Sequence, residues 1–266
     1  MAWESVGRVG LSAGMGDELE QLRERNAELE RELAESNAAL AAVQHEFDHF
    51  AYSVSHDLRA PLRHIAAFAA ILERIGAATR EESERSTVHA IKDAADRMNQ
   101  LIDDLLRLSR AGRAELHRAP VPLQDIVRQA QTDLSPEALG RKINWRIQPL
   151  PTVRADPTLL RQVFAALLGN AIKFTRSRDP AEIEIGAREE RGRWVIFVRD
   201  NGVGFDQKFV SRLFGIFQRL HSEREFEGTG SGLALVRKII SRHGGETWAE
   251  GRLNEGATFY FSLPKS

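Results

Sequence analysis

The sequence predicts an N-terminal parallel coiled coil and a helical hairpin that form a dimeric four-helix bundle, followed by a C-terminal α+β sandwich domain. Three observations predict this fold class: a heptad repeat from Leu19, a second amphipathic helix that ends near Ser109, and mixed helix and strand patterns beyond Pro122. The predicted segments are a flexible leader at 1–16, a coiled coil at 17–46, a hairpin domain at 47–110, a linker at 111–122 and the mixed domain at 123–266.

Composition excludes several classes of protein. Because the chain has no cysteine, disulfide scaffolds, cysteine zinc sites and thiol nucleophiles are excluded. The formal net charge of −1 argues against a strongly basic nucleic-acid binder. No apolar run approaches the roughly 18 residues that span a bilayer, and residues 1–16 lack the order of a secretory signal. We therefore expect a cytoplasmic protein with no membrane span and no nucleic-acid partner.

Two interleaved apolar ladders predict the coiled coil, after a glycine-rich leader without periodicity. The ladders are Leu19, Asn26, Leu33, Leu40, Phe47 and Val54, and Leu22, Leu29, Ser36, Val43 and Phe50. Asn26 at an a position and the opposite charges of the Glu18–Arg23 and Arg25–Glu30 pairs favour two parallel helices in register. The alternative is one long amphipathic helix that packs on its own protein.

The hairpin consists of the continued first helix and a second helix, which starts at the capping-box pattern Thr79–Glu82. The apolar side of the second helix carries Ile91, Met98, Leu101, Leu105 and Leu108. One hairpin buries little apolar surface by itself, whereas two copies held by the coil make a four-helix bundle. Glycine and prolines in the segment after Ser109 then predict the linker.

The mixed domain shows helical and alternating patterns in turn, and its helices are expected to cover one face of a mixed sheet. Asp156-Pro157 is a strong helix start, because the aspartate caps the helix and proline suits its first position. The expected helices cover 123–134, 157–174 and 233–243, and the expected strands cover 143–147, 181–187, 193–199, 247–250 and 258–263.

Five short sequence boxes carry the candidate chemistry. They are Phe50–Leu62 (FAYSVSHDLRAPL), Asn170–Phe174 (NAIKF), Asp200–Gly204 (DNGVG), Phe214–Arg219 (FGIFQR) and Gly228–Gly232 (GTGSG). Val54 lies in the apolar seam, so His56 points away from the dimer axis, and its neutral imidazole is a competent nucleophile near pH 7. Taken singly, the histidine could be an ordinary surface residue, DNGVG a plain turn and GTGSG a flexible loop.

In this order the boxes resemble those of sensor histidine kinases of two-component systems, over about Phe47 to Pro264. The sequence from Phe217 to Gly230 is similar to that of bacteriophytochrome-type kinases. The resemblance implies a dimerisation and histidine phosphotransfer domain at 47–110 and a catalytic ATP-binding domain of the GHKL (Bergerat) type at 123–266.

The resemblance also implies roles for single residues. His56 accepts the phosphoryl group, Asp57 orients the ring or takes its proton, and Arg219 reaches the terminal phosphate of ATP. Asn170 would bind Mg²⁺, and Asp200 would accept a hydrogen bond from adenine. The residues placed around ATP are Asn170, Lys173, Phe174, Asp200, Gly202, Gly204, Phe214, Phe217, Gly228, Gly230, Gly232 and Leu233.

The expected function is ATP-dependent autophosphorylation of His56 in a homodimer, followed by transfer to an aspartate of a response-regulator receiver domain. The receiver is expected on a separate chain, and the input module is either N-terminal or absent. Two alternatives stay open: an ATPase clamp of the gyrase and mismatch-repair type, and a catalytically weak dimeric scaffold that binds a receiver.

Three residues depart from the family pattern. Ala166 replaces a frequent asparagine or acid, which puts the affinity for Mg²⁺ in doubt. Ala60 replaces a threonine or asparagine that positions water, which predicts weak phosphatase activity. Ser231 stands where an aliphatic residue is usual, and the sequence alone gives this change no consequence.

Overall fold

The computed structural model describes residues 22–23, 25–36, 55, 58–59, 62–72, 82–113, 115–221 and 225–265. The chain divides into two compact units, Met1–Phe50 and Ala51–Ser266. In the first unit, residues 25–36 are helical, as the heptad pattern predicts. The seam residues Leu22, Leu29 and Leu33 are 65%, 45% and 62% exposed in the single chain. The parallel pairing of two such helices stays a prediction.

The second unit begins with the helical hairpin. Residues 62–72 are helical and pack against α1 (Glu82–Arg113). The hairpin core consists of Leu62, Ala95, Ile102 and Leu106. Arg59 also donates a hydrogen bond to Asp103 of α1 across 2.6 Å. These contacts confirm a second amphipathic helix, although α1 continues to Arg113, past its expected end near Ser109.

The mixed domain follows α1. Its helices are α2 (Leu123–Asp133), α3 (Pro157–Phe174) and α4 (Gly232–Arg242), and a short 3-10 helix covers Gln207–Arg212. Its strands are β1 (Ala119–Pro122), β2 (Ile143–Ile147), β3 (Thr152–Ala155), β4 (Ala181–Glu190), β5 (Arg193–Asp200), β6 (Thr247–Arg252) and β7 (Gly256–Pro264). Five strands form one sheet in the order β2-β4-β5-β7-β6, in which only β2 and β4 pair in parallel.

The core lies between this sheet and the helices α2, α3 and α4. Phe164 of α3 meets Phe261 of β7 edge to face, with ring centroids 5.7 Å apart. On β4 the inward residues Ile183 and Ile185 are buried and alternate with glutamates, as period-2 patterning requires. The expected sandwich of helices on one face of a mixed sheet is confirmed.

Two strands and part of the linker differ from the sequence prediction. β1 lies within 111–122 and pairs antiparallel with β3, and residues 111–113 belong to α1. β1 contains Pro120 and Pro122, which lack the N–H that a strand paired on both sides needs. In a two-stranded sheet one edge stays unpaired, so these prolines are tolerated there.

No helix in the described ranges has both the length and the apolar character that crossing a membrane requires.

Candidate functional site

A cavity of about 230 Å³ opens between the end of α3, the loop after β5 and the segment that leads into α4. Ten of the residues singled out from the sequence line it: Asn170, Lys173, Phe174, Asp200, Gly204, Arg219, Gly228, Gly230, Gly232 and Leu233. Helix α1 of the hairpin contributes Gln100 to the same wall. His56 and Asp57 lie outside the described residues.

Helix α3 is fixed at both ends, and this positions Asn170 and Lys173. At its start, Asp156 accepts hydrogen bonds from the backbone N–H groups of Thr158 (2.9 Å) and Leu159 (3.1 Å). At its end, the Arg141 guanidinium donates to the carbonyl oxygens of Ile172 and Thr175 across 2.5 and 2.7 Å.

Asp200 contributes a buried carboxylate to the cavity wall, and only 4% of the residue is exposed. Burial raises its pKa to about 6, although hydrogen bonds from the backbone N–H groups of Gly202 and Ala257 act in the opposite direction. The Gly202 bond is 2.8 Å long. Because Asp200 lines the cavity, its carboxylate can accept a hydrogen bond from an exocyclic amine of a flat base.

The loop after Asp200 is held by Arg178. Its guanidinium donates to the carbonyl oxygens of Asn201 (2.8 Å), Gly202 (3.1 Å) and Asn254 (2.6 Å). Gly204 needs to be glycine here, because its φ is +60° and a Cβ atom would lie 1.9 Å from the Arg252 carbonyl oxygen. The loop thus forms a rigid wall that a planar ligand can approach.

Lys173 and Arg219 make part of the cavity wall cationic. Desolvation lowers the pKa of the Lys173 amine, and the nearby charges of Arg219 and Arg176 lower it further. Glu227 opposes them and pairs with Arg176. Gly228 and Gly230 adopt φ angles of +123° and +78° just before the start of α4. A loop of this kind, with cations beside it and a helix N-terminus behind it, suits a phosphate chain.

Phe174 forms an aromatic cluster with His221 and Phe226, and the last two residues were missed from the sequence. The rings of Phe174 and Phe226 are 4.9 Å apart, and His221 lies 5.4 Å from each of them. Nε2 of His221 is 2.9 Å from the Gly204 carbonyl oxygen. The signal available in the sequence was two aromatic rings in an otherwise polar segment before GTGSG.

Three residues singled out from the sequence lie outside the cavity wall: Gly202, Phe214 and Phe217. Gly202 supports the wall from behind, since a Cβ atom there would lie 2.5 Å from the Phe174 carbonyl oxygen. Phe214 is buried in the domain core, and Phe217 is 39% exposed with a φ of +57°. Packing therefore decides their positions, which spacing alone does not reveal.

Oxygen ligands for a metal are sparse around this cavity. Among the described residues, no group of three or more histidines, aspartates or glutamates could hold a metal ion. Asn170 is the member of α3 that brings an amide oxygen to the wall, while Ala166, one turn earlier, brings none. This donor set fits a hydrated Mg²⁺ that takes most of its ligands from phosphates and water.

Comparison with known proteins assigns the family. Residues 155–266 match the family described as Histidine kinase-, DNA gyrase B-, and HSP90-like ATPase, and residues 48–114 match the His Kinase A (phospho-acceptor) domain. The adaptive-response sensory kinase SasA of Synechocystis sp. is 31% identical over 271 residues, which are 98% of this chain and 67% of that protein. The chain belongs to the histidine kinases. The resemblance inferred from the sequence boxes is confirmed.

Other relatives of this histidine kinase are longer. Cyanobacterial phytochrome A of Nostoc sp. is 38% identical over 238 residues, which cover 90% of this chain but 30% of the relative. The chain thus spans about a third of the phytochrome it matches. The crystal structure of full-length ShkA in complex with AMPPNP matches with 32% sequence identity and a TM-score of 0.59. The match covers 81% of this chain and 45% of the ShkA chain.

Proposed function

We propose that this histidine kinase binds ATP in the cavity, transfers the terminal phosphoryl group to His56, and then passes it to an aspartate of a response-regulator receiver domain. The observation that carries the proposal is the set of charged groups and the loop that line the cavity. The wall combines a buried carboxylate, Asp200, with Lys173, Arg219 and the loop Gly228–Gly232, which we call the glycine loop. These groups match adenine at the carboxylate and the phosphates at the cations and the glycine loop.

Base recognition is assigned to Asp200. Its carboxylate would accept a hydrogen bond from the adenine amino group, and the aromatic cluster of Phe174, His221 and Phe226 offers surfaces for stacking. A buried acceptor discriminates strongly, because a base with a carbonyl group at that position would leave the carboxylate facing another acceptor. We therefore expect a preference for ATP over GTP.

Phosphoryl transfer needs positioning and charge neutralisation more than covalent assistance from the protein. An imidazole nitrogen of His56 would attack the γ-phosphorus while the bond to the bridging oxygen breaks, so that ADP leaves with the electron pair. Asp57 would take the ring proton, and Arg219 and Lys173 would offset the negative charge on the transferring group. Attack by a receiver aspartate on the phosphohistidine then restores His56.

Mg²⁺ would be held by Asn170, and when bound it neutralises charge on the phosphates. Ala166 removes a second protein ligand from the same helix face, so phosphate oxygens and water would complete the shell. We expect Asn170→Asp to tighten Mg²⁺ binding, because a carboxylate is the stronger ligand.

Dimerisation is part of the proposal, with the coil at 17–46 and the phosphotransfer domain at 47–110 as the contact regions. The hairpin has large apolar side chains on its surface in the single chain: Leu58, Ile65, Phe68, Ile71, Leu72, Ile91 and Met98. A patch formed by such side chains on two packed helices would be typical of an interface. The catalytic domain at 123–266 would then act on His56 within the four-helix bundle.

The deciding experiment is incubation with γ-labelled ATP followed by acid treatment. We expect a labelled protein whose label is lost in acid, since a phosphoramidate is acid-labile, and no labelling of His56→Ala. His64→Ala is the matched control, because His64 is exposed on the same hairpin and should leave labelling intact. ATP hydrolysis without labelled protein would favour a clamp ATPase. The match of residues 48–114 to a phospho-acceptor domain argues against that alternative. Receiver binding without label would favour a scaffold.

A further inference from the structure

Helix α1 of the hairpin contacts the glycine loop through one carboxylate. Asp104 accepts a hydrogen bond from the Ser231 hydroxyl across 2.6 Å and another from the Thr229 hydroxyl. The two hydroxyls are also 2.9 Å from each other. Only 11% of the Asp104 side chain is exposed, and Arg107, one turn further along α1, lies 3.7 Å from it.

This carboxylate lies at the N-terminus of α4, where backbone N–H groups lack partners inside the helix. Ser231 is the N-cap residue of α4, but its side chain makes no capping hydrogen bond and instead points its hydroxyl to Asp104. A helix N-terminus favours negative charge. Asp104 therefore supplies an anion next to the loop on which the proposed function places the ATP phosphates.

The far end of α4 is also held by the α1 side of the molecule. Arg242 donates to the Ala111 carbonyl oxygen across 2.7 Å, and Arg118 donates to the Arg242 carbonyl oxygen across 3.1 Å. α4 is thus held against α1 at both ends. Of these two attachments, the one at Asp104 includes Thr229, which lines the nucleotide cavity, whereas Asp104 and Ser231 line a neighbouring cavity.

We propose that Asp104 holds the glycine loop against α1 by accepting the hydroxyl hydrogen bonds of Thr229 and Ser231, and that this contact breaks when ATP phosphates bind to the loop. The inference rests on the proposed function, and it explains a residue that the sequence left unexplained. An aliphatic residue at position 231 has no hydroxyl for Asp104, whereas Ser231 supplies one. Gln100, one turn before Asp104 on α1, lines the nucleotide cavity, so release of Asp104 would free the part of α1 that borders the nucleotide.

The test is calorimetric titration of the whole chain with ATP, ADP and adenosine. Loss of one charge-assisted contact should make Asp104→Asn and Ser231→Ala bind ATP about tenfold more tightly than the unchanged protein. Adenosine carries no phosphate, so its affinity should be equal in all three proteins, and its binding reports that the variants are folded. Asp103→Asn is the matched control, because this neighbouring carboxylate pairs with Arg59 and not with the glycine loop.

The possible results test the role of Asp104 and the proposed function separately. Tighter binding of ATP and ADP with unchanged adenosine affinity supports the competition. Unchanged ATP affinity in Asp104→Asn, with normal adenosine binding, overturns the role of Asp104 and leaves the proposed function intact. An equal gain for adenosine and ATP overturns the competition with phosphate. If the unchanged protein binds neither adenosine nor ATP, the proposed function is overturned, and the role of Asp104 with it.

Discussion

The backbone N–H of Asp156 donates a hydrogen bond to Nε2 of His243 across 3.0 Å. Nδ1 of the same ring is 2.8 Å from the Ile239 carbonyl oxygen, so the proton lies on Nδ1 and the lone pair on Nε2. Asp156 begins α3 and His243 ends α4. One neutral, buried imidazole thus joins the helix that carries Asn170 to the helix that follows the glycine loop.

This bond makes stability depend on pH. Desolvation lowers the pKa of His243 from 6.5, so its stabilising effect is complete above that value and is lost as pH falls through the folded-state pKa. His243→Ala should cost about 1–3 kcal/mol of unfolding free energy near neutral pH, because a buried N–H loses its acceptor. The cost should be smaller at about pH 5 than near neutral pH, because below 6.5 the unfolded chain binds a proton on this ring that the native state excludes.

Urea unfolding of both proteins at the two pH values measures this difference. His89→Ala is the control, because its side chain is 64% exposed on α1. A cost for His243→Ala that is the same at both pH values would show that the ring contributes packing alone.

Asp200 should impose the opposite dependence on pH. Burial raises its pKa from 3.8 to about 6, so the native state binds more protons than the unfolded chain between these values. Stability from this group therefore falls as pH rises through that range. Relative to the unchanged protein, Asp200→Asn should gain up to about 3 kcal/mol of unfolding free energy between about pH 4 and pH 7.

The same substitution should weaken ATP binding, because the carboxamide turns an N–H donor or a weaker acceptor toward the base. Calorimetry measures the affinity, and urea unfolding measures the stability. Asp206→Asn is a control with the opposite expected effect on stability. Because Lys208 lowers the pKa of Asp206, this carboxylate stabilises the unchanged protein as pH rises, so the variant should become less stable than the unchanged protein. Parallel pH profiles for Asp200→Asn and the unchanged protein would contradict the burial argument.

Gly204 should not tolerate a methyl group. Its φ is +60° and the added Cβ would meet the Arg252 carbonyl oxygen at 1.9 Å, so Gly204→Ala must displace β6 or the loop after Asp200. We expect a loss of more than about 3 kcal/mol in unfolding free energy, together with loss of ATP binding. Gly192→Ala has a similar φ of +73° in open space and should cost only about 1 kcal/mol. Equal costs in thermal unfolding would remove the steric explanation.

Most of the fold could be predicted because its periodic segments are long. α3 begins and ends where Asp156-Pro157 and Phe174 indicate, and β2 matches its expected residues. β1 and β3 were missed, since four residues are too few to show alternation and β1 contains two prolines.

The parts of the site that escaped prediction depend on tertiary contacts. An aspartate on an amphipathic helix, such as Asp104, is expected to face solvent, and only the packing of α1 beside α4 gives it Ser231 as a partner. His221 likewise reaches Gly204 from a distant segment of the chain. Sequence spacing identifies residues that share a helix or a loop, but not carboxylates and rings that meet across elements.

Dimerisation through the hairpin should fail when its apolar surface is charged. Ile65 and Phe68 are 46% and 65% exposed in the single chain, so Ile65→Glu with Phe68→Glu leaves the hairpin core of Leu62 and Ala95 in place. Each large apolar side chain buried at an interface contributes about 1.5–3 kcal/mol, and a twofold dimer buries each of them twice. We therefore expect a dimer dissociation constant at least about a hundredfold higher, measured by analytical ultracentrifugation.

Leu139→Glu is the control, because Leu139 is 85% exposed in the catalytic domain and its substitution should leave dimerisation unchanged. If the doubly charged variant dimerised as tightly as the unchanged chain, the apolar side of the hairpin would not be the contact between subunits.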